Sequence, residues 1–146
     1  MDQNVVQANA TVLMTHLLFG IAFIHKNFIA HLDIRPHNLV VCQSELRLEI
    51  IDFSLAITIK NQNALVQGFR GYLPWVAPEV KAGGYFCPIA ADLWACGRVL
   101  ELYRRYFEGD IGQCLADLSI RLIEQDVLTR ILARKDGMKK LRSMSQ

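Results

Sequence analysis

The chemically richest residues lie in one short run, His31-Leu32-Asp33-Ile34-Arg35-Pro36-His37-Asn38. Asp33 and Asn38 stand five apart, with the cation of Arg35 between them, on a turn that follows a helical stretch and leads into a hairpin. Nineteen residues after Asp33, Asp52 closes a β-type run and is followed by Phe53-Ser54. Further on come Ala77-Pro78-Glu79 and Asp92-Leu93-Trp94-Ala95-Cys96-Gly97. A single Asp in a turn is most often solvated or turn-capping, so the ordered succession carries the information. The cysteines at 42, 87, 96 and 114 form no C-x-x-C pair, and no Cys/His set has zinc spacing. The chemistry on offer is that of carboxylates, a carboxamide and a guanidinium.

In their order and intervals the four patterns H-x-D-x-x-x-x-N, D-F-x, A-P-E and D-x-W-x-x-G resemble the C-terminal lobe of eukaryotic protein kinases, over roughly residues 10–105. Any one pattern is weak; four in sequence are specific. Phosphoryl transfer asks for an aimed nucleophile and neutralised phosphate charge rather than covalent help. The resemblance implies that Asp33 orients or accepts the substrate hydroxyl proton, and that Arg35, where the family usually has Lys, is the cation near the transferred phosphate. It implies ATP and Mg2+ as cofactors, with Asn38 and Asp52 as the magnesium ligands and Val40 in the adenine floor. The retained Pro36 is that of the serine/threonine branch, so protein Ser/Thr is the implied substrate. Glu79 is expected to pair with a late Arg, best placed at Arg130. His31 is expected to stack with Phe53, and Asp92 to hold the catalytic-loop backbone.

The departures are as informative. Leu32 replaces the Arg that normally meets a phosphorylated loop residue, so control by loop phosphorylation is not expected. Ser54 replaces the Gly of D-F-G and removes some backbone freedom. Tyr72 stands where the family often has a Thr contacting the catalytic Asp, and its ring is expected to obstruct that contact. Only thirty residues precede His31, with no G-x-G-x-x-G and no strand Lys. Leu55-Ala56-Ile57-Thr58-Ile59-Lys60 mimics V-A-I-K but follows the D-F-x run, and reads as coincidence. The small nucleotide-gripping lobe is therefore expected to be missing from this chain. The expectation is a single incomplete kinase-like domain over 1–146, its motifs over 10–105 and a degenerate helical part over 110–146, inactive alone. The alternative is a non-catalytic, pseudokinase-type module that binds a protein.

The elements that must position these residues can be read from periodicity. Leu13, Leu17, Ile21 and Ile24 recur at helical spacing within 9–27. Leu39-Val40-Val41 and the run 46–51 form a hairpin. Residues 54–89 read as a long ordered loop with one helical turn after Pro78, the kind of loop that is usually functional. Residues 90–106 are apolar nearly all round, which places that helix at the centre, and Gly97 within it implies a close approach. Two more helices fit 113–123 and 125–142. The fold class is mainly α with a small β hairpin, that of a protein kinase-like large lobe.

Composition sets the outer limits. The 146 residues are 52 % hydrophobic and 21 % charged, which fits one globular domain rather than a disordered chain. The net charge of +2 gives no global field for nucleic acid. Six of the sixteen basic residues, Arg130, Arg134, Lys135, Lys139, Lys140 and Arg142, fall in 130–146 and read as a solvated tail. No apolar run is long enough for a membrane span, and cysteine usage fits an intracellular, cytoplasmic setting. The expected partner is a protein. Self-association is expected through the surface that would face a small lobe, which by the resemblance includes Val40, Val41, Phe53 and Leu55.

Overall fold

The computed structural model describes residues 2–146. Asp2 caps the first helix, α1 (Gln3–Ala8), by accepting the Asn4 amide at 3.0 Å. The long helix α2 (Ala10–Lys26) buries Leu13, Met14, Leu17, Leu18, Ile21 and His25 along one face. Asn27 ends it by donating its side-chain amide to the Phe23 carbonyl, and Phe28 at φ +58° turns the chain away. The extended pair β1 (Ile29–Ala30) then lies antiparallel to β4 (Ile57–Thr58).

The hairpin forms from β2 (Leu39–Cys42) and β3 (Arg47–Ile50), with Val40 opposite Glu49 and Val41 opposite Leu48. Side chains alternate across a strand. Leu39, Val41, Leu48 and Ile50 accordingly face the core, while Val40 and Glu49 face outward. Val41 therefore does not belong to the open surface on which the sequence placed it. Val40 and Phe53 are exposed there, and Leu55 is half-buried.

The long loop is ordered, as expected, and carries the helical turn α3 (Pro78–Lys81). It also holds the ladder of β5 (Val66–Gln67) with β6 (Tyr85–Phe86), which was not expected. Pro88, whose missing amide suits a first helical turn, opens α4 (Pro88–Tyr103). Twelve of its sixteen residues are buried, so α4 is the central helix anticipated from its composition. It packs on α5 (Gly109–Leu122), which packs in turn on α6 (Val127–Met144). A Cβ on Gly97 would sit 2.7 Å from Leu122 Cβ, which explains why a residue unfavourable to helices stands mid-helix. Asp126 caps α6 through the Thr129 amide at 2.8 Å and the Thr129 hydroxyl at 2.6 Å, and these bonds lower its pKa.

The basic stretch lies on the helix expected over 125–142, and it is not wholly solvated. That helix is α6, with Arg130 fully buried and Arg134 half-buried, because two of its cations reach inward between the helices. No helix among the described residues is long and apolar enough to cross a membrane.

Candidate active site

The turn that carries Asp33 is built by groups outside it. Asp92, 1 % exposed on α4, accepts the His31 and Leu32 backbone amides, each at 2.7 Å. Leu32 holds φ +62°, a left-handed conformation costing a branched-chain residue about 1–2 kcal/mol. Two charge-assisted bonds from Asp92 offset that strain. So does burial of the Leu32 side chain among Ala30, Val76, Val80 and Phe86. An apolar cluster thus occupies the place where the family's phosphate-binding Arg would stand.

His31 is fully buried and fixes the next link. Its Nδ1 accepts the Asp33 amide at 3.2 Å, so the Nε2–H tautomer donates to the Ile51 carbonyl at 3.0 Å. Its ring meets Phe53 edge-on at 4.7 Å, the contact expected from the sequence. One imidazole thereby joins the Asp33 turn to the Asp52 segment.

Asp33 is 5 % exposed. Asn38, in a 3-10 turn at Pro36–Asn38, donates to the Asp33 carbonyl at 2.9 Å and to Asp33 Oδ2 at 2.6 Å. The Ile51 amide donates to the Asn38 carbonyl at 2.9 Å and sets the strand end beside the turn. Arg35 Nε lies 3.1 Å from Asp33 Oδ1. That approach is close enough for charge pairing but is not aligned as a hydrogen bond, so Oδ1 is a buried oxygen awaiting a donor. The Arg35 guanidinium lies 4.2 Å over the Tyr72 ring. Tyr72 therefore steadies the cation rather than forming a hydrogen bond to Asp33. A narrow groove walled by Leu32, Tyr72, Trp75 and Val76 opens beside Asp33.

Asp52 is exposed, at φ +60°, with Oδ1 accepting the Ser54 amide at 3.2 Å. Hydrogen bonds from Ser54, helped by the nearby charge of Arg35, hold its carboxyl below the usual range. An ionised carboxylate and a carboxamide oxygen are hard donors, and magnesium is commonly held by one or two such groups plus substrate phosphates. The Asn38 amide nitrogen makes both bonds to Asp33, and no hydrogen bond from the described residues occupies Asn38 Oδ1. The donor set fits the ion. Val40 is 42 % exposed on the outer face of the hairpin, near the same strand end.

Glu79 and Arg130 pair as expected. Arg130 Nη1 and Nη2 reach the two Glu79 oxygens at 2.6 and 2.8 Å. Its remaining donors go to the carbonyls of Ala90, Glu124 and Gln125. All five guanidinium N–H groups are satisfied, and α3 is tied to α6 beneath the site. Sequence reasoning missed His25, whose Nε2 lies 2.9 Å from Asp92 Oδ2 and backs the clamp on the Asp33 turn. The signal was present, because His25 continues the four-residue stepping of Leu13, Leu17 and Ile21 onto the core face.

A family model described as protein kinase domain matches residues 2–131. The chain belongs to the protein kinase domain family. Over 101 residues, 68 % of the chain, it is 37 % identical to the serine/threonine-protein kinase grp of Drosophila melanogaster. It is 36 % identical over the same length to the serine/threonine-protein kinase chk-1 of Caenorhabditis briggsae. Calcium/calmodulin-dependent protein kinase type II of Caenorhabditis elegans is 35 % identical over 99 residues, 66 % of the chain. These matches span 19 %, 20 % and 13 % of the respective relatives, so the chain corresponds to a fifth or less of their lengths. Membership and the mainly helical fold agree with the lobe read from the motifs.

Proposed function

We propose that residues 1–146 form one kinase-like unit carrying the substrate-side half of a serine/threonine protein kinase site. The observation that carries this reading is the state of Asp33: nearly buried, gripped by Asn38, flanked by Arg35, and with Oδ1 lacking a hydrogen-bond donor. A Ser or Thr hydroxyl entering the groove would donate to that oxygen, which aims its own oxygen and receives its proton as transfer proceeds. Arg35, steadied by Tyr72, offers positive charge where phosphate oxygens gather. Asn38 Oδ1 and the Asp52 carboxylate would hold Mg2+, and Val40 would underlie the adenine of ATP. When bound, the ion and nucleotide supply the phosphoryl group and neutralise its charge.

The 146 residues contain no glycine-rich loop and no strand lysine, so this polypeptide is expected to be inactive alone. A non-catalytic protein-binding role is the second reading. The exposed Val40, Ile51 and Phe53 favour it, as an apolar surface on which a protein or a second copy would settle. Manganese titration followed by NMR separates the two. The first reading expects paramagnetic broadening centred on Asn38 and Asp52 and lost in Asp52→Asn. Absence of localised broadening in folded protein would favour the second.

A further inference from the structure

Where the end of α2 meets α6, the described residues form a pocket lined by His25, Lys26, Gln62, Arg134, Lys135 and Arg142, with Ala22 and Met138 as its apolar wall. Four of these side chains are permanent cations and none is acidic. Arg134 is the telling member. The chain's other well-enclosed guanidiniums meet carboxylates, Arg35 on Asp33 and Arg130 on Glu79. Arg134 meets none among the described residues, and its one polar approach is to His25 Nδ1 at 3.5 Å. Asp92 accepts on the other ring nitrogen of His25, so Nε2 carries the proton and Nδ1 turns a lone pair toward Arg134. Asp92, the carboxylate behind that ring, is already engaged by two backbone amides and by His25 itself. It leaves the guanidinium uncompensated, and burial pushes the Arg134 pKa down.

We propose that this pocket binds a phosphate group, with Arg134 as the planar fork and Lys26, Lys135 and Arg142 as the surrounding charge. A half-buried guanidinium with most of its five donors unused matches the paired oxygens of a phosphate, and the apolar wall limits competition from water. None of Asp33, Arg35, Asn38 or Asp52 lines this pocket, so it is separate from the transfer site. His25 is shared with the Asp92 clamp, and a ligand drawing on Arg134 acts one side chain away from the catalytic turn.

The test is titration of the 146-residue chain with inorganic phosphate and, separately, with O-phosphoserine. Amide NMR shifts are read at constant ionic strength, with sodium chloride as the control. Saturable shifts clustered at residues 25–26, 62 and 134–142 are expected. Arg134→Gln should weaken binding at least tenfold, whereas Lys139→Gln, on α6 but outside the pocket, should change it less than twofold. Should Arg134→Gln unfold, the exposed pair Lys135→Gln and Arg142→Gln serves instead, with the same loss expected. Tighter binding of O-phosphoserine assigns the pocket to a phosphorylated side chain, and binding of inorganic phosphate alone assigns it to the free ion. Shifts no larger than those with chloride, or undiminished affinity in the pocket variants, overturn the proposal.

Discussion

The Glu79–Arg130 pair permits a quantitative test of how the site is braced. Arg130 is 0 % exposed and spends all five donors, two of them on one carboxylate. Glu79→Gln removes the counter-charge while nearly preserving shape, and it turns an amide group toward the guanidinium. Breaking one side of a buried pair costs about 3–5 kcal/mol, because the remaining charge stays buried. The Glu79 side chain is 21 % exposed, so water reaches the gap and the low end, about 3 kcal/mol, applies. Arg130→Met strands three carbonyls as well as Glu79 and should reach the high end, about 5 kcal/mol. Against a total stability of about 5–15 kcal/mol these are large fractions. Equilibrium urea unfolding measures them directly, with the midpoint falling and the slope unchanged. At about 2–4 °C per kcal/mol, Glu79→Gln should lower Tm by about 6–12 °C. A loss below about 1 kcal/mol in Glu79→Gln would place the pair among exposed ion pairs and refute the bracing argument.

Gly97→Ala should destabilise by about 1–3 kcal/mol, read by the same unfolding assay, because the new methyl meets Leu122 at 2.7 Å. Asp52 titrates below an ordinary carboxylate, so the stability its Ser54 bonds contribute is present above the unfolded pKa and lost as pH falls through the lower folded value. Carboxyl NMR should show that Ser54→Gly moves the Asp52 midpoint upward, toward the usual value. Val40→Thr, by reducing the apolar surface beside Ile51 and Phe53, should lower concentration-dependent association in sedimentation; unchanged association would remove this surface as its cause.

The parts of the fold that were legible are those whose pattern is long. The stripe through Leu13, Leu17 and Ile21 and the all-round apolarity of 90–106 are each governed by burial over several turns. The two-residue ladders β1–β4 and β5–β6 are too short to show alternation, and they form because neighbouring elements deliver their edges. At the candidate site, Asp33, Asn38 and Asp52 were singled out by the motif resemblance, and the structure brings Asp33 and Asn38 into contact with His31 as the bridge toward Asp52. Partnerships were harder to read. Tyr72 was expected to obstruct the Asp33 contact, and its stacking against Arg35 depends on the path of the long loop, which no local pattern encodes. The basic run looked like a solvated tail because charge counting ignores which helical faces turn inward. Arg130 and Arg134 face neighbours while Lys139 and Lys140 face water.

The central claim, that these residues are the hydroxyl-activating half of a Ser/Thr kinase site, is tested most directly by phosphoryl transfer. The chain would be joined behind the small lobe of a related serine/threonine kinase and transfer from ATP–Mg2+ to a Ser/Thr peptide measured, with folding and nucleotide binding checked independently. The hybrid should phosphorylate the peptide, the 146-residue chain alone should not, and Asp33→Asn should reduce the hybrid rate by about 10²–10⁴-fold without loss of fold. A folded, nucleotide-binding hybrid that is silent, or one whose transfer survives Asp33→Asn, would contradict the account.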